Sequence, residues 1–527
     1  MPDAPNRPNI ILILADDMGY SDIGCYGGEI NTPNLDALAR GGMRFSQVYN
    51  CARCCPTRAS ILTGLYPHKA GIGHMVRDLG HPSYRGFLSE RSVTLAEALR
   101  PAGYRSMLSG KWHVGGLWPR RPGVEWRLDD PRKPLPLDRG FDRFYGCPGG
   151  GSYYFVSPLI SDEHYEEVPE GFYTSDNYTT EAIRFIEQCD RSGEPFFVHL
   201  TYNAPHWPLH APRADIEKYR GQYQKGWDAV RAARHERLKG DGVLSADWAI
   251  SARDADAPPW ENVPDHDWED ARMATYAAMV DRMDQNIGRL RASLRQLGIE
   301  DNTLILFLSD NGGSAEFLRE NGRKERELPF TRTGQPVMVG NFRGLEPGGP
   351  ETFMSYDLPW ANVSNSPFRR FKSWVHEGGI STPLIAHWPE RITTGGGLSH
   401  QTAHVVDIYA TILDVAGAEY PESRNGKPTH SMDGESFLPL LTGGDWSRSG
   451  PLFWEHEGNA AVRDGRWKLV RQEGQPWELY DMISDRTERN NLADQDAGRV
   501  AAMAEQWDAW SRACGVLPWE QVRAAMR

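Results

Sequence analysis

Long hydrophobic runs are missing from this chain of 527 residues. The longest, such as residues 10–15, reach about six residues, where a helix needs roughly 20 to cross a bilayer. A membrane span is thereby excluded, and no membrane partner is expected. Excess positive charge is missing too: 58 Lys and Arg stand against 71 Asp and Glu, for a formal net charge of −13. That balance argues against nucleic acid or an anionic lipid surface as a partner. It also requires that any anionic substrate be drawn in by a local cationic pocket. Cysteine is scarce, with seven residues in an odd set without paired spacing. Reduced thiols in a cytosol-like compartment are the expectation. Cys51, Cys54 and Cys55 lie close in sequence, but neither a second cysteine pair nor a nearby histidine is seen to complete a zinc set. No leader is expected from the first residues. Residues 1–8 are short and polar, and acidic residues follow the first apolar run in place of a small-residue cleavage site. A cytoplasmic location is expected, or a periplasmic one if a leader has been removed.

What is present fits a soluble globular protein. Hydrophobic residues make up 39% and charged residues 24%, which is outside the disordered range. The length allows one large domain plus a smaller one. Four apolar runs, 9–14, 104–108, 196–200 and 303–308, are continuous rather than alternating, as in strands of a parallel sheet covered on both faces. Polar groups follow each run: Asp16-Asp17, then Lys111 and His113, then His206, then Asp310-Asn311. Open α/β sheets bind ligands beyond the carboxyl ends of their strands, so four segments deliver chemistry to one edge.

Between these runs, residues 268–297 carry apolar side chains at three- and four-residue steps and read as an amphipathic helix whose methionines are core filler. Pro56 suits a first helical turn and Gly64 its stop. Cys54 is thus expected just ahead of a helix N-terminus, a setting that favours anions. Residues 145–151 and 312–361 read as loops, the longer one walling a pocket. Residues 207–264 look like a peripheral insertion. After about residue 441 short β-like segments (451–456, 459–464, 467–471, 478–481) precede a helix over 496–513. Asp16, Asp17, Asp310 and Asn311 offer oxygen donors, which suit Ca²⁺ or Mg²⁺ and disfavour zinc. Taken singly, such Asp pairs are more often caps or turns.

The segment Cys54-Cys55-Pro56-Thr57-Arg58, followed by Ala59-Ser60-Ile61-Leu62-Thr63-Gly64, reads as Cys-x-Pro-x-Arg. It resembles the maturation motif of the type I sulfatases. Asp16-Asp17, Gly110-Lys111-Trp112-His113 and Ser309-Asp310-Asn311-Gly312 stand in matching order, as does the stretch 371–380 around Lys372. The likeness runs from about residue 8 to the C-terminus, and Thr57 stands where serine is more frequent.

The resemblance implies an alkaline-phosphatase-like α/β fold. A large, mixed, mostly parallel sheet flanked by helices would occupy 1–440, and a small antiparallel sheet plus helix 441–527. It implies a sulfuric ester hydrolase acting on small anionic sulfate esters. Cys54 would be converted by a formylglycine-generating enzyme to 3-oxoalanine, whose hydrate attacks sulfur. One Ca²⁺ would be held by Asp16, Asp17, Asp310, Asn311 and residue 54. Arg58 would hold the hydrate, Lys111 and Lys372 the sulfate oxygens. His113 would take a proton from the hydrate, and His206, with Lys372, would protonate the leaving oxygen. His74 and His456 are further candidates for the pocket. Two rival readings stand: a phosphonate monoester or phosphate diester hydrolase of the same superfamily, and a sulfated-glycan-binding protein never matured at Cys54. Simple aryl or alkyl sulfates are the first expectation for substrate, carbohydrate sulfates the second. The residues do not fix the oligomeric state.

Overall fold

The computed structural model describes residues 7–118, 127–150, 153–155, 159–322 and 327–527. Residues 1–6, read above for a leader, lie outside the described residues, as do Gly151 and positions 323–326 of the two loops. The main sheet contains β1 (Asn9–Asp16), β2 (Met43–Tyr49), β3 (Arg105–Lys111), β4 (Arg143–Cys147), β5 (Leu159–Ser161), β6 (His164–Glu166), β7 (Phe196–Pro205) and β8 (Thr303–Ser309). Two short strands, β9 (Met338–Val339) and β10 (Thr352–Phe353), pair apart from it. The main sheet is completed by β11 (Ser381–His387) and β12 (Gly397–His404), in the order β12-β2-β11-β8-β1-β7-β3-β4-β5-β6.

Pairings β8-β1-β7-β3-β4 are parallel, while β11 is antiparallel to both β8 and β2. The centre of the sheet is buried on both faces. Along β1, Ile11 and Ile13 enter one core with the helix His266–Leu297, whereas Ile10, Leu12 and Leu14 enter the other with the helix Cys54–Thr63. This two-sided burial is why the strand reads as an unbroken apolar run. The helix His266–Leu297 begins at Asp265, whose carboxylate accepts from the Trp268 N–H, satisfying one free donor of the first turn.

A hairpin, β13 (Ser423–Arg424) and β14 (Lys427–Pro428), precedes the second sheet. That sheet is an antiparallel meander of β15 (Leu452–His456), β16 (Asn459–Asp464), β17 (Trp467–Arg471) and β18 (Glu478–Asp481). One face packs Trp454, Ala461 and Val470 on Tyr49 and Ala52 at the end of β2; the other packs on the helix Ala497–Cys514. Buried Lys468 donates to Glu377 at 2.8 Å, and Arg486 donates to the same carboxylate at 2.9 Å, joining the second sheet to the main one. A last helix, Trp519–Met526, was not expected from the pattern.

Three expectations change. Tyr145–Cys147 belong to β4, not to a loop, because they pair with Ser109–Lys111 of β3. The segment 207–264 is not peripheral. Its Trp227 is buried, and Arg234 donates from Nη1 to Asp22 at 2.7 Å and from Nη2 to Glu29 at 2.7 Å. Finally, β2 is a fifth strand feeding the reactive edge, and it carries the Cys54 segment. All seven cysteines are unpaired. Among the described residues no helix is long and apolar enough to cross a membrane.

Candidate active site

The strands run on into the chemistry. Asp16 is the last residue of β1 and Lys111 the last of β3. Asp17 and His113, just beyond, adopt left-handed φ values of 64° and 55°. Such backbone is costly for a side-chain-bearing residue and collects at functional sites. Cys54 is itself the first residue of its helix, with Arg53 as the preceding cap, so it is not ahead of the helix. Pro56 falls in the first turn and Gly64, at φ 66°, ends the helix. The free N–H groups of that first turn favour negative charge at position 54. Lys372 arrives from the other chain direction: β11 is antiparallel, so its N-terminal end lies at the same edge.

The predicted ligands and cations meet. Arg58 donates from Nε at 3.0 Å and Nη2 at 2.8 Å to Asp310 Oδ2, and from Nη1 at 3.0 Å to the Lys111 carbonyl. Lys111 Nζ donates to Asp16 Oδ2. Lys372 Nζ donates to Asp17 Oδ2 at 2.7 Å, and His206 Nε2 lies 3.5 Å from the same oxygen. Asn311 Nδ2 is 2.7 Å from Asp17 Oδ1, and the Asp17 N–H is 3.2 Å from Asp310 Oδ1. All of these side chains are buried.

This donor set fits a hard divalent cation. Asp16, Asp17, Asp310 and Asn311 converge with oxygen atoms, and Asp16 Oδ1 and Asn311 Oδ1 are buried without a hydrogen-bond partner. Orphaned acceptors of this kind are rare in folded proteins, and oxygen-only ligation is the preference of Ca²⁺. Burial pushes the Asp16 carboxyl up to about 7 against the pull of Lys111, a strain that a bound cation would relieve. Burial also opposes ionisation of Asp17, but His206 and Lys372 outweigh it and hold its carboxyl below the ordinary value. Three carboxylates (Asp16, Asp17, Asp310) thus face three cations (Arg58, Lys111, Lys372). Adding a divalent ion leaves the pocket net positive, as an anionic ester requires.

Cys54 lies in this charge field. A hydrogen bond from Cys55, together with His113 and Lys111, outweighs burial and pulls its thiol well below the usual range. Cys54, Cys55 and His113 present their donor atoms within 4.8 Å of one another. So a histidine does join the cysteines, contrary to the reading of residues 51–55, because β3 brings His113 alongside from far away in sequence. Burial pushes the His113 ring down to about 4, which keeps it neutral.

Several site residues went unnoticed in the sequence. Glu316 accepts from Trp207 Nε1 at 2.7 Å, pairs with Arg53 at 3.1 Å and lies 3.7 Å from Lys372 Nζ. It sits in the long loop expected to wall the pocket, which was the one available signal. Gly150 is the second: a Cβ there would stand 2.2 Å from His113 Nε2. His74 and His456 meet each other, ring centroids 5.6 Å apart, beside Glu457 rather than among the carboxylates.

Oxygen ligands for a cation, buried lysines and an arginine, and two histidines at one rim of a mixed sheet define a hydrolase of tetrahedral anionic esters with an alkaline-phosphatase-like fold. The sulfatase family model matches residues 8–418, and a second model, N-sulphoglucosamine sulphohydrolase C-terminal, matches 369–507. An arylsulfatase of Klebsiella aerogenes is 35% identical, over 82% of this chain and 92% of that protein. An uncharacterized sulfatase of Schizosaccharomyces pombe is 32% identical, over 97% and 94%. The solved structure of Ps i-CgsB in complex with k-i-k-neocarrahexaose superposes with a TM-score of 0.67 at 26% identity, covering 96% of this chain and 93% of that one. The chain belongs to the sulfatase family and is a sulfuric ester hydrolase.

Proposed function

We propose that this sulfatase cleaves aryl or alkyl sulfate monoesters first and carbohydrate sulfates second, with residue 54 matured to formylglycine and a Ca²⁺ ion held by Asp16, Asp17, Asp310 and Asn311. The observation that carries the reading is the placement of Cys54 against neutral His113 within a field of three carboxylates and three cations. The aldehyde hydrate would supply one oxygen as nucleophile and a second hydroxyl that, on losing its proton, expels sulfate as the aldehyde re-forms, and calcium would polarise the sulfate oxygens.

The chain's own groups do the rest. Lys111 and Lys372 present ammonium groups to the sulfate oxygens as charge builds on them. Arg58, locked on Asp310, holds the position-54 oxygens through its fixed charge. His113 accepts the proton from the hydroxyl at position 54, the role a neutral imidazole suits. His206 and Lys372 share one oxygen of Asp17 and so stand together, where the departing alcohol takes its proton. Glu316 and Trp207 position Lys372 and His206 from behind. Burial of the whole set excludes bulk water, which strengthens each of these interactions.

Peptide mass mapping tests the maturation step: residue 54 of active enzyme should carry an aldehyde in place of the thiol. Sulfate release is then compared on nitrophenyl sulfate, an alkyl sulfate, a sugar sulfate and phenyl phosphonate. An intact thiol in fully active enzyme, or a higher kcat/KM on the phosphonate, would refute the reading.

A further inference from the structure

We propose that His74, His456 and Glu457 form a second metal site, for Zn²⁺, that ties the small sheet to the segment following the nucleophile helix. His74 belongs to the connection after the helix Cys54–Thr63. His456 is the last residue of β15, and Glu457 turns the chain into β16 with a left-handed φ of 54°. Only tertiary folding brings these two segments together.

Two of the three ligand spacings are close to those around a tetrahedral ion. His74 Nε2 lies 3.2 Å from Glu457 Oε1, and His456 Nε2 lies 3.7 Å from the same oxygen. The three donor atoms fall within 4.8 Å of one another. Zinc bonds of about 2.0–2.1 Å in a tetrahedron separate neighbouring ligands by about 3.3–3.4 Å. A direct hydrogen bond accounts for His74 and Glu457 but not for His456. That ring is fully buried, and neither of its nitrogens has a hydrogen-bond partner. Two orphaned nitrogens on one buried imidazole call for an occupant.

The ligands are in the form a metal needs. Burial pushes His456 down to about 4, so the ring is neutral. Against burial, His74, His456 and Arg53 pull Glu457 down to about 2, so it is ionised. Two imidazoles and one carboxylate suit zinc, whereas the oxygen-only set at Asp16 suits calcium. The Glu457 side chain is 35% exposed, which leaves an entry path and room for a water as fourth ligand. Arg53 is the opposing charge nearby; it is engaged by Glu316 at 3.1 Å and by Ser373. Glu455, which bonds His68 at 2.9 Å, adds negative charge in the same region. The strut would also stiffen the chain beside the nucleophile, since the His74 carbonyl lies 3.7 Å from Cys55 Sγ.

The test uses the full-length matured enzyme. Protein is incubated with zinc chloride, desalted, and its zinc and calcium are counted by inductively coupled plasma mass spectrometry, for wild type, Glu457→Gln and His456→Gln. Wild type should keep about one zinc per chain. Each variant should bind zinc about 100-fold more weakly or worse, since disturbing even the groups behind a metal costs up to that much. Calcium content should not change. If wild type holds no zinc, or the variants hold it equally, the proposal fails and a buried water occupies the place. In case a variant does not fold, zinc K-edge absorption on wild type decides alone. Nitrogen and oxygen neighbours at about 2.0–2.2 Å support the site, and a sulfur shell would move the ion to a cysteine such as Cys55, beside His113, and overturn the proposal.

Discussion

Arg58 and Asp310, 252 positions apart in the chain, meet inside the protein through a single carboxylate oxygen: Oδ2 of Asp310 accepts from both Nε and Nη2 of Arg58. The other oxygen, Oδ1, is left to the Asp17 N–H. One carboxylate is thereby divided between the arginine of the maturation motif and the strand end that carries the acidic pair. Removing Arg58 strands a buried charge, which typically costs about 3–5 kcal/mol. Arg58→Met should lower unfolding stability by that order in urea titrations and reduce turnover by about 100-fold or more. A variant as stable and active as wild type would remove Arg58 from the account.

Leaving-group chemistry separates the proton donors from the sulfate binders. His206→Ala should lower kcat/KM by about 10²–10⁴-fold on an alkyl sulfate, the usual range for losing a general acid, whereas Lys372→Met, which also removes a sulfate-binding charge, should impair both substrates. The loss of His206→Ala on nitrophenyl sulfate should be much smaller, because nitrophenolate departs without a proton. Kinetics on the two substrates in parallel provide the check. Equal losses on both would take His206 out of the proton-donor role.

Calcium should stabilise the fold as well as serve the reaction, since a ligand that binds only the native state raises its stability by about 2.7 kcal/mol at 100 times its Kd. EGTA treatment should lower the melting temperature and abolish sulfate release, and added calcium should restore both. Asp17→Asn should blunt the calcium-dependent shift. Differential scanning fluorimetry across a calcium series reads it directly.

Gly150 is expected to tolerate no side chain, because a Cβ there would lie 2.2 Å from His113 Nε2. Gly150→Ala should displace the imidazole and cut kcat by about 100-fold, the scale of a misplacement of roughly 1 Å in an active site. Circular dichroism and melting should stay near wild type. Unchanged kcat would mean that the ring has room to move.

The Glu29–Arg234 pair gives a pH signature away from the site. Burial opposes ionisation of Glu29, yet Arg234 pulls its carboxyl down to about 2. A depressed folded-state value stabilises above the unfolded value, near 4.5, and that contribution fades as pH falls from there toward 2. Arg234→Met should therefore destabilise strongly at pH 7 and progressively less below about pH 4.5. Urea midpoints of both proteins at several pH values would show the two curves converging, and a constant gap would contradict the pairing.

Much of the site was legible because acidic and basic residues directly follow unbroken apolar runs. Asp16, Lys111 and Asp310 mark strand ends in the letters themselves, and the structure sets Lys111 on Asp16 and Arg58 on both Asp310 and the Lys111 carbonyl. What escaped notice carries weaker local signals. Strand β2 interrupts its buried positions with half-buried Arg44 and Gln47 and carries buried Ser46, so it does not read as a core strand. The segment 207–264 is charged and looked external, yet Arg234 turns inward where Asp22 and Glu29 neutralise it. Hydropathy registers the charge of such a residue and not the partner that permits its burial. Gly150 and Glu316 sit in irregular loops, where spacing carries no geometry.

By themselves the residues determined the α/β class, the strand ends that bear the donors and the family motif at 54–58, because periodicity and short spacing are local properties. Only the folded chain decided which of the 16 histidines stand beside Cys54 and which pair elsewhere, how Glu316 backs Lys372, and that His74 and His456 share Glu457. Those contacts join residues 59, 56 and 383 positions apart. They are set by strand order and by which face each strand turns to the edge, and no stretch of sequence encodes that alone.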